Sequence, residues 1–78
     1  MPDLTLRQLE IIRFLQKHKE KTGVYATVRD VCAHFEWSSP STAHQQLLAI
    51  ERQGFLERVQ ITTGVFVWWP TERWWANA

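Results

Sequence analysis

Ser38-Ser39-Pro40-Ser41-Thr42-Ala43-His44-Gln45-Gln46-Leu47 begins a helix and fixes what its two faces carry. Ser38 or Ser39 can accept from the free N–H groups of the first turn. Pro40 suits that turn because its missing N–H would have no partner there anyway. Ala43, Leu47 and Ile50 recur at helical spacing and define a buried side. Ser41, Gln45 and Arg52 fall opposite, flanked by Thr42 and His44. A surface helix of a small domain usually carries Glu and Lys at such positions. Short hydroxyls and amides can instead enter a groove of duplex DNA and bond to base edges.

The flanking segments place this helix third. Thr5 caps a first helix whose apolar positions are Leu9, Ile11, Ile12 and Leu15, and Thr22-Gly23 ends it. Arg13, Lys17, Lys19 and Lys21 on that helix read as a solvated face balanced by Glu10 and Glu20. Thr27 with Asp30 makes a capping box in which Asp replaces the usual Glu. Val28, Val31, Cys32 and Phe35 then give a short second helix its apolar stripe. Glu36-Trp37-Ser38 turns into the third helix, expected over residues 40–53 and closed by Gly54.

Beyond Gly54 the period changes. Phe55 to Ile61 and Val65 to Trp69 are rich in β-branched and aromatic residues, and Thr62-Thr63-Gly64 separates them as a bulged hairpin loop. Pro70 should stop the ladder. Three helices followed by a two-stranded hairpin predict an α+β, mainly α fold, a winged helix-turn-helix. We expect the domain over residues 1–70, followed by a Trp-containing tail over 71–78.

Composition sets further bounds. With 78 residues, the chain supports one domain and one modest core, and 45% hydrophobic residues is ample for folding. No apolar run reaches membrane-spanning length and no signal peptide is evident, so a soluble, cytoplasmic protein without membrane contact is expected. The single Cys32 excludes an internal disulfide and reads as a small buried hydrophobe. Cys32, His18, His34 and His44 show no metal-ligand spacing, so no metal site is expected. Ser38, Ser39 and Ser41 near His44 lack an oriented base and an oxyanion site; capping explains the first two. Neither catalysis nor a cofactor is expected. The net charge of +1 counts against strong phosphate binding.

In order along the chain, several motifs resemble the DNA-binding domain of LexA-type SOS repressors. Leu4-Thr5-Leu6-Arg7-Gln8-Leu9-Glu10-Ile11 is similar to that family's "LTxRQxEV/I" opening. Thr22-Gly23 and Thr27-Val28-Arg29-Asp30-Val31 resemble its entry to the second helix. Ser39-Pro40, Ala43, Leu47 and Gly54-Phe55-Leu56 resemble its recognition helix and first wing strand. The match runs without a gap from Leu4 to about Val59. The resemblance implies a bacterial or phage repressor module that sets its third helix in the major groove of a palindromic operator. On that basis Ser41, Thr42, His44 and Gln45 read bases, Ser39 offers the helix start to a phosphate, and Arg7 and Arg52 reach the backbone. The chain also departs from the family. Its reading positions are distinct, so it should not read the usual SOS operator. Gln53 replaces a usual Lys, Glu36 replaces a usual Gly, and Tyr25-Ala26 replaces Pro-Pro. The wing Ile61-Thr62-Thr63-Gly64-Val65 has no basic residue, and the self-cleaving peptidase domain is not expected in this chain.

Trp68, Trp69, Trp74 and Trp75 crowd the last eleven residues. One member of each pair can pack inward, but exposed Trp is typical of protein contact. Trp69, Trp74 and Trp75 are therefore expected at a homodimer or partner interface. Two functions follow. One is a transcriptional regulator, favoured by its polar, uncharged reading positions. The alternative is a protein-interaction module on the same fold, an antirepressor or a partner of another regulator, favoured by the neutral charge and the wing without Lys or Arg.

Overall fold

The computed structural model describes residues 4–77; residues 1–3 of the expected domain and Ala78 of the expected tail lie outside them. Local chemistry starts each helix. Before α1 (Leu6–Thr22), Thr5 Oγ1 accepts from the Gln8 N–H at 3.1 Å, and Gln8 Oε1 accepts from the Thr5 N–H at 3.1 Å. This reciprocal pair satisfies two N–H groups that the helix cannot. Gly23 closes α1 at φ 81°, a left-handed conformation that strains any L side chain, and its N–H reaches the Lys19 carbonyl at 2.8 Å. The same box, Thr27 with Asp30, starts α2 (Val28–Phe35). For α3 (Pro40–Arg52) the cap is Ser39, not Ser38: its Oγ accepts from the Ser41 N–H at 3.2 Å. The helix ends one residue short of the expected position 53, which serves as its C-cap.

Between α2 and α3 the chain reverses at Glu36, which adopts φ 56° and ψ 37°. That left-handed conformation is ordinarily a glycine's, and an L-residue there costs ~1–2 kcal/mol. Trp37 steadies the turn, its N–H donating to the Cys32 carbonyl at 3.0 Å. The two helices so joined pack on each other, and α2 packs also on α1.

β1 (Leu56–Thr62) and β2 (Val65–Pro70) form the expected antiparallel hairpin. Val59 faces Val67, Leu56 faces Pro70, and the register shifts between Gln60 and Thr62, next to the turn carrying Gly64 at φ 76°. The fold is a winged helix-turn-helix, mainly helical, with the hairpin as its wing.

Ile11, Ile12 and Leu15 of α1 meet Val31 of α2, Ala43, Leu47 and Ile50 of α3, and Phe55 and Leu56 at the wing base. The expected boundary at residue 70 is corrected here. Thr71 donates its hydroxyl to the Gly54 carbonyl and its N–H to the Phe55 carbonyl, which turns the chain back onto the domain. A short helix α4 (Glu72–Asn77) follows, packed on β2. Successive helical residues point about 100° apart, so only one indole of the adjacent pair can face the core. Trp74 does, at 7% exposure, while Trp75 stays 48% exposed. Residues 71–77 thus complete the domain instead of trailing from it.

Candidate nucleic-acid interface

With Ala43, Leu47 and Ile50 buried, α3 presents Ser41, Thr42, His44, Gln45 and Arg52 outward, all exposed. Ser41, His44 and Gln45 come together with Pro40 and with Val28 of α2 around a shallow groove. Thr42 and Arg52 share the exposed side without lining that groove. Ser39 is half-buried and its side chain is engaged in capping, which leaves the helix start, not its hydroxyl, for a ligand. Arg7 stands apart at the start of α1. It lies 3.4 Å from Glu10 Oε2, with its guanidinium 5.1 Å from the centre of the Phe35 ring.

A cation that the motif reading passed over adjoins a groove residue in sequence. Arg29 follows the groove residue Val28 directly and is exposed. It is the second residue after the Thr27 cap, and the packing of α2 on α3 sets its neighbour Val28 at the groove.

The outer edge of α3 is tied to the wing. His44 meets the Trp68 ring edge to face, centroids 5.4 Å apart at 83°. Two turns further along the helix, Glu51 Oε1 accepts from Trp68 Nε1 at 2.9 Å and from Arg58 Nε at 3.1 Å. The Trp68 N–H, foremost, holds the Glu51 carboxyl below its ordinary value; partial burial opposes this, and Arg58 and then Arg52 add to the lowering. Arg58, the wing's basic residue, is therefore committed to Glu51 and to the face of Trp68, 5.8 Å from the ring centre. The tip itself exposes Ile61, Val65 and Phe66. Sequence reasoning did not find this link, although the seven-residue spacing of His44 and Glu51 sets both on one edge of α3.

Among the expected interface tryptophans, Trp74 is instead buried within its own chain, in the core with Phe55 and Leu56. Trp69 is half-buried and Trp75 exposed, their rings 6.4 Å apart. Cys32 is buried beneath the start of α3, its Sγ donating to the Ser39 carbonyl at 3.5 Å. His18 Nε2 lies 3.9 Å from Asp30 Oδ2. Among the described residues no three His, Cys, Asp or Glu side chains gather as a metal site, and no helix is long and apolar enough to cross a membrane.

Comparison with known proteins agrees with this geometry. The family described as the LexA DNA binding domain matches residues 1–63. The LexA repressor of Petrotoga mobilis is 35% identical over 65 residues, covering 83% of this chain and 32% of that protein. The LexA repressor of Lactobacillus acidophilus is 46% identical over 50 residues, 64% of this chain and 24% of its own. That of Geobacter metallireducens is 38% identical over 58 residues, 74% and 29% respectively. The chain thus spans about a third or less of the length of these relatives.

Proposed function

The chain belongs to the LexA DNA-binding domain family, and from that premise we propose that it binds double-stranded DNA sequence-specifically as a small bacterial or phage transcriptional repressor. The observation that carries this reading is the uncharged polar side of α3, where Ser41, His44 and Gln45 converge on one groove. A helix-turn-helix enters the major groove with the first residues of its second helix, and these three lie in the first two turns of α3. Gln45 is suited to paired bonds with an adenine edge; Ser41, Thr42 and His44 offer further donors and acceptors. The N–H groups at the start of α3, behind Ser39, suit a backbone phosphate, with Arg7, Arg29 and Arg52 as further cationic contacts. The protein acts without catalysis or cofactor, in the cytoplasm, as a homodimer on a palindromic operator.

A second reading is favoured by the wing. Its tip exposes Ile61, Val65 and Phe66, and its one nearby arginine is held by Glu51. A protein-interaction module on this fold would use such a surface. Selection from a randomised duplex library at low salt, followed by mobility shift, separates the two. An enriched motif supports DNA reading. Absence of any motif, with a specific protein partner recovered by pull-down, supports the second.

A further inference from the structure

One edge of α1 carries a row of cations that the fold leaves without acidic partners. Arg13, Lys17 and Lys21 follow at four-residue spacing, so they share a side of the helix, and all three are exposed. Among the described residues none of them makes an ion pair. The acids of the same helix do not neutralise them. Glu10 is held by Arg7 at 3.4 Å, and Glu20 lines a shallow hollow with Arg13 and Lys17 without pairing with either. Lys19 differs from the row, since its ammonium is spent on the Gly23 carbonyl at 2.8 Å.

Beside the row, Phe14, Lys17, His18, Lys21 and Thr22 of α1 line a cleft of about 360 Å³ with His34 of α2. Sites for small ligands begin near ~300 Å³. One wall is aromatic: the His34 ring stacks on Phe14, centroids 4.3 Å apart at 23°, and His18 tilts against the same ring at 5.6 Å. Among the described residues no carboxylate lines this cleft. Asp30 lies 3.9 Å from His18 Nε2, but its Oδ2 accepts from the Thr27 N–H at 2.9 Å and from the Thr27 hydroxyl at 3.0 Å. The Thr22 hydroxyl is also used, donating to the His18 carbonyl at 2.8 Å. The cleft thus offers two lysines to a polar group and a pair of rings to an apolar one. Like charges four residues apart on a helix repel, and an anion between Lys17 and Lys21 removes that cost. None of these residues lines the groove of α3.

We propose that the cleft between α1 and the end of α2 binds a small organic anion carrying a planar ring. Its carboxylate or phosphate sits between Lys17 and Lys21, and its ring lies against Phe14 and His34. The site is separate from the reading face, so it stands or falls independently of the DNA proposal.

Amide-resolved NMR of the full chain decides it, with naphthalene-2-carboxylate and adenosine 5′-monophosphate as probes. The anion should shift the signals of Phe14, His18, Lys21 and His34 together, with a dissociation constant on the order of 1 mM for the better probe. Which probe binds better identifies the head group as carboxylate or phosphate. Naphthalene-2-carboxamide keeps the ring and acetate keeps the charge; each should bind at least about tenfold more weakly than the carboxylate. Lys17→Gln combined with Lys21→Gln should weaken the anion about tenfold, and His34→Ala, at an exposed position, about threefold. Lys19→Gln removes equal charge outside the cleft and should change affinity by less than about twofold, which separates local pairing from net charge. Circular dichroism confirms that each variant is folded. No shifts at these residues with either anion, a carboxamide that binds as well, or a double variant no weaker than Lys19→Gln overturns the proposal. Duplex DNA is then added to the loaded protein. An anion that stays bound supports the site, whereas displacement assigns the lysines to DNA and overturns it.

Discussion

Trp68 donates its indole N–H to Glu51 across 2.9 Å and 17 residues of chain, and that bond fastens the wing to the edge of α3. Arg58 reaches the same carboxylate oxygen from β1. His44, a proposed base-reading residue, leans on the same indole. The wing therefore serves the reading helix as a brace, a role its lack of free cations does not diminish.

The Glu51 carboxyl titrates below its ordinary value of 4.5 because the Trp68 N–H, and after it Arg58, favour the ionised form. Folding thus binds this proton more weakly than the unfolded chain does. The resulting stability is present at neutral pH and is lost as the pH falls below about 4.5 through the lower folded value. Glu51→Gln should cost ~1 kcal/mol near neutrality, with the deficit shrinking toward about pH 3. Urea unfolding at the two pH values checks this; a deficit that stays constant would place its origin in packing.

Which features could be read from sequence follows the range of the interactions that make them. The Thr5–Gln8 and Thr27–Asp30 boxes and the Ser39-Pro40 start each act within four residues, so the three helices and their ends were readable. The inward set Ala43, Leu47 and Ile50 was readable by period, and with it the outward face that forms the candidate site. Glu36 defied local chemistry, since nothing about a glutamate announces a left-handed turn. Trp68 with Glu51, and Thr71 with Gly54, are pairs 17 residues apart. Neither has a local pattern, so sequence alone shows neither the brace nor the packing of the last helix.

Base reading is tested at Gln45, which is exposed and free of the wing contacts that engage His44. Gln45→Ala should weaken binding to the selected duplex by ~1–3 kcal/mol and leave binding to random duplex nearly unchanged. Mobility shifts on both duplexes give the comparison. Equal losses on the two would remove Gln45 from base reading.

Phosphate contact is tested at Arg29, the exposed neighbour in sequence of the groove residue Val28. Arg29→Ala should weaken binding to every duplex alike and lower the slope of log affinity against log salt by ~1. Arg7→Ala should do less, because Glu10 already occupies its guanidinium at 3.4 Å. Titrations at several salt concentrations distinguish the two; equal slopes for parent and Arg29→Ala would exclude that contact.

The end of the chain is tested by its two adjacent indoles. Trp74 lies in the core with Phe55 and Leu56, while Trp75 remains 48% exposed. Trp74→Ala should therefore cost ~3–5 kcal/mol, the range for removing a buried aromatic, and this is a large share of what holds so small a domain together. Ending the chain after Pro70 removes Trp74 together with the Thr71 bonds to Gly54 and Phe55, and should unfold the domain at ordinary temperature. Trp75→Ala at low protein concentration should cost well under ~1 kcal/mol, because an exposed side chain gives up little on truncation. Thermal melts of the three variants, followed by circular dichroism at 222 nm, read the order directly. A truncated chain that melts with the parent would return Trp74 to the surface, and with it the freedom to reach a partner.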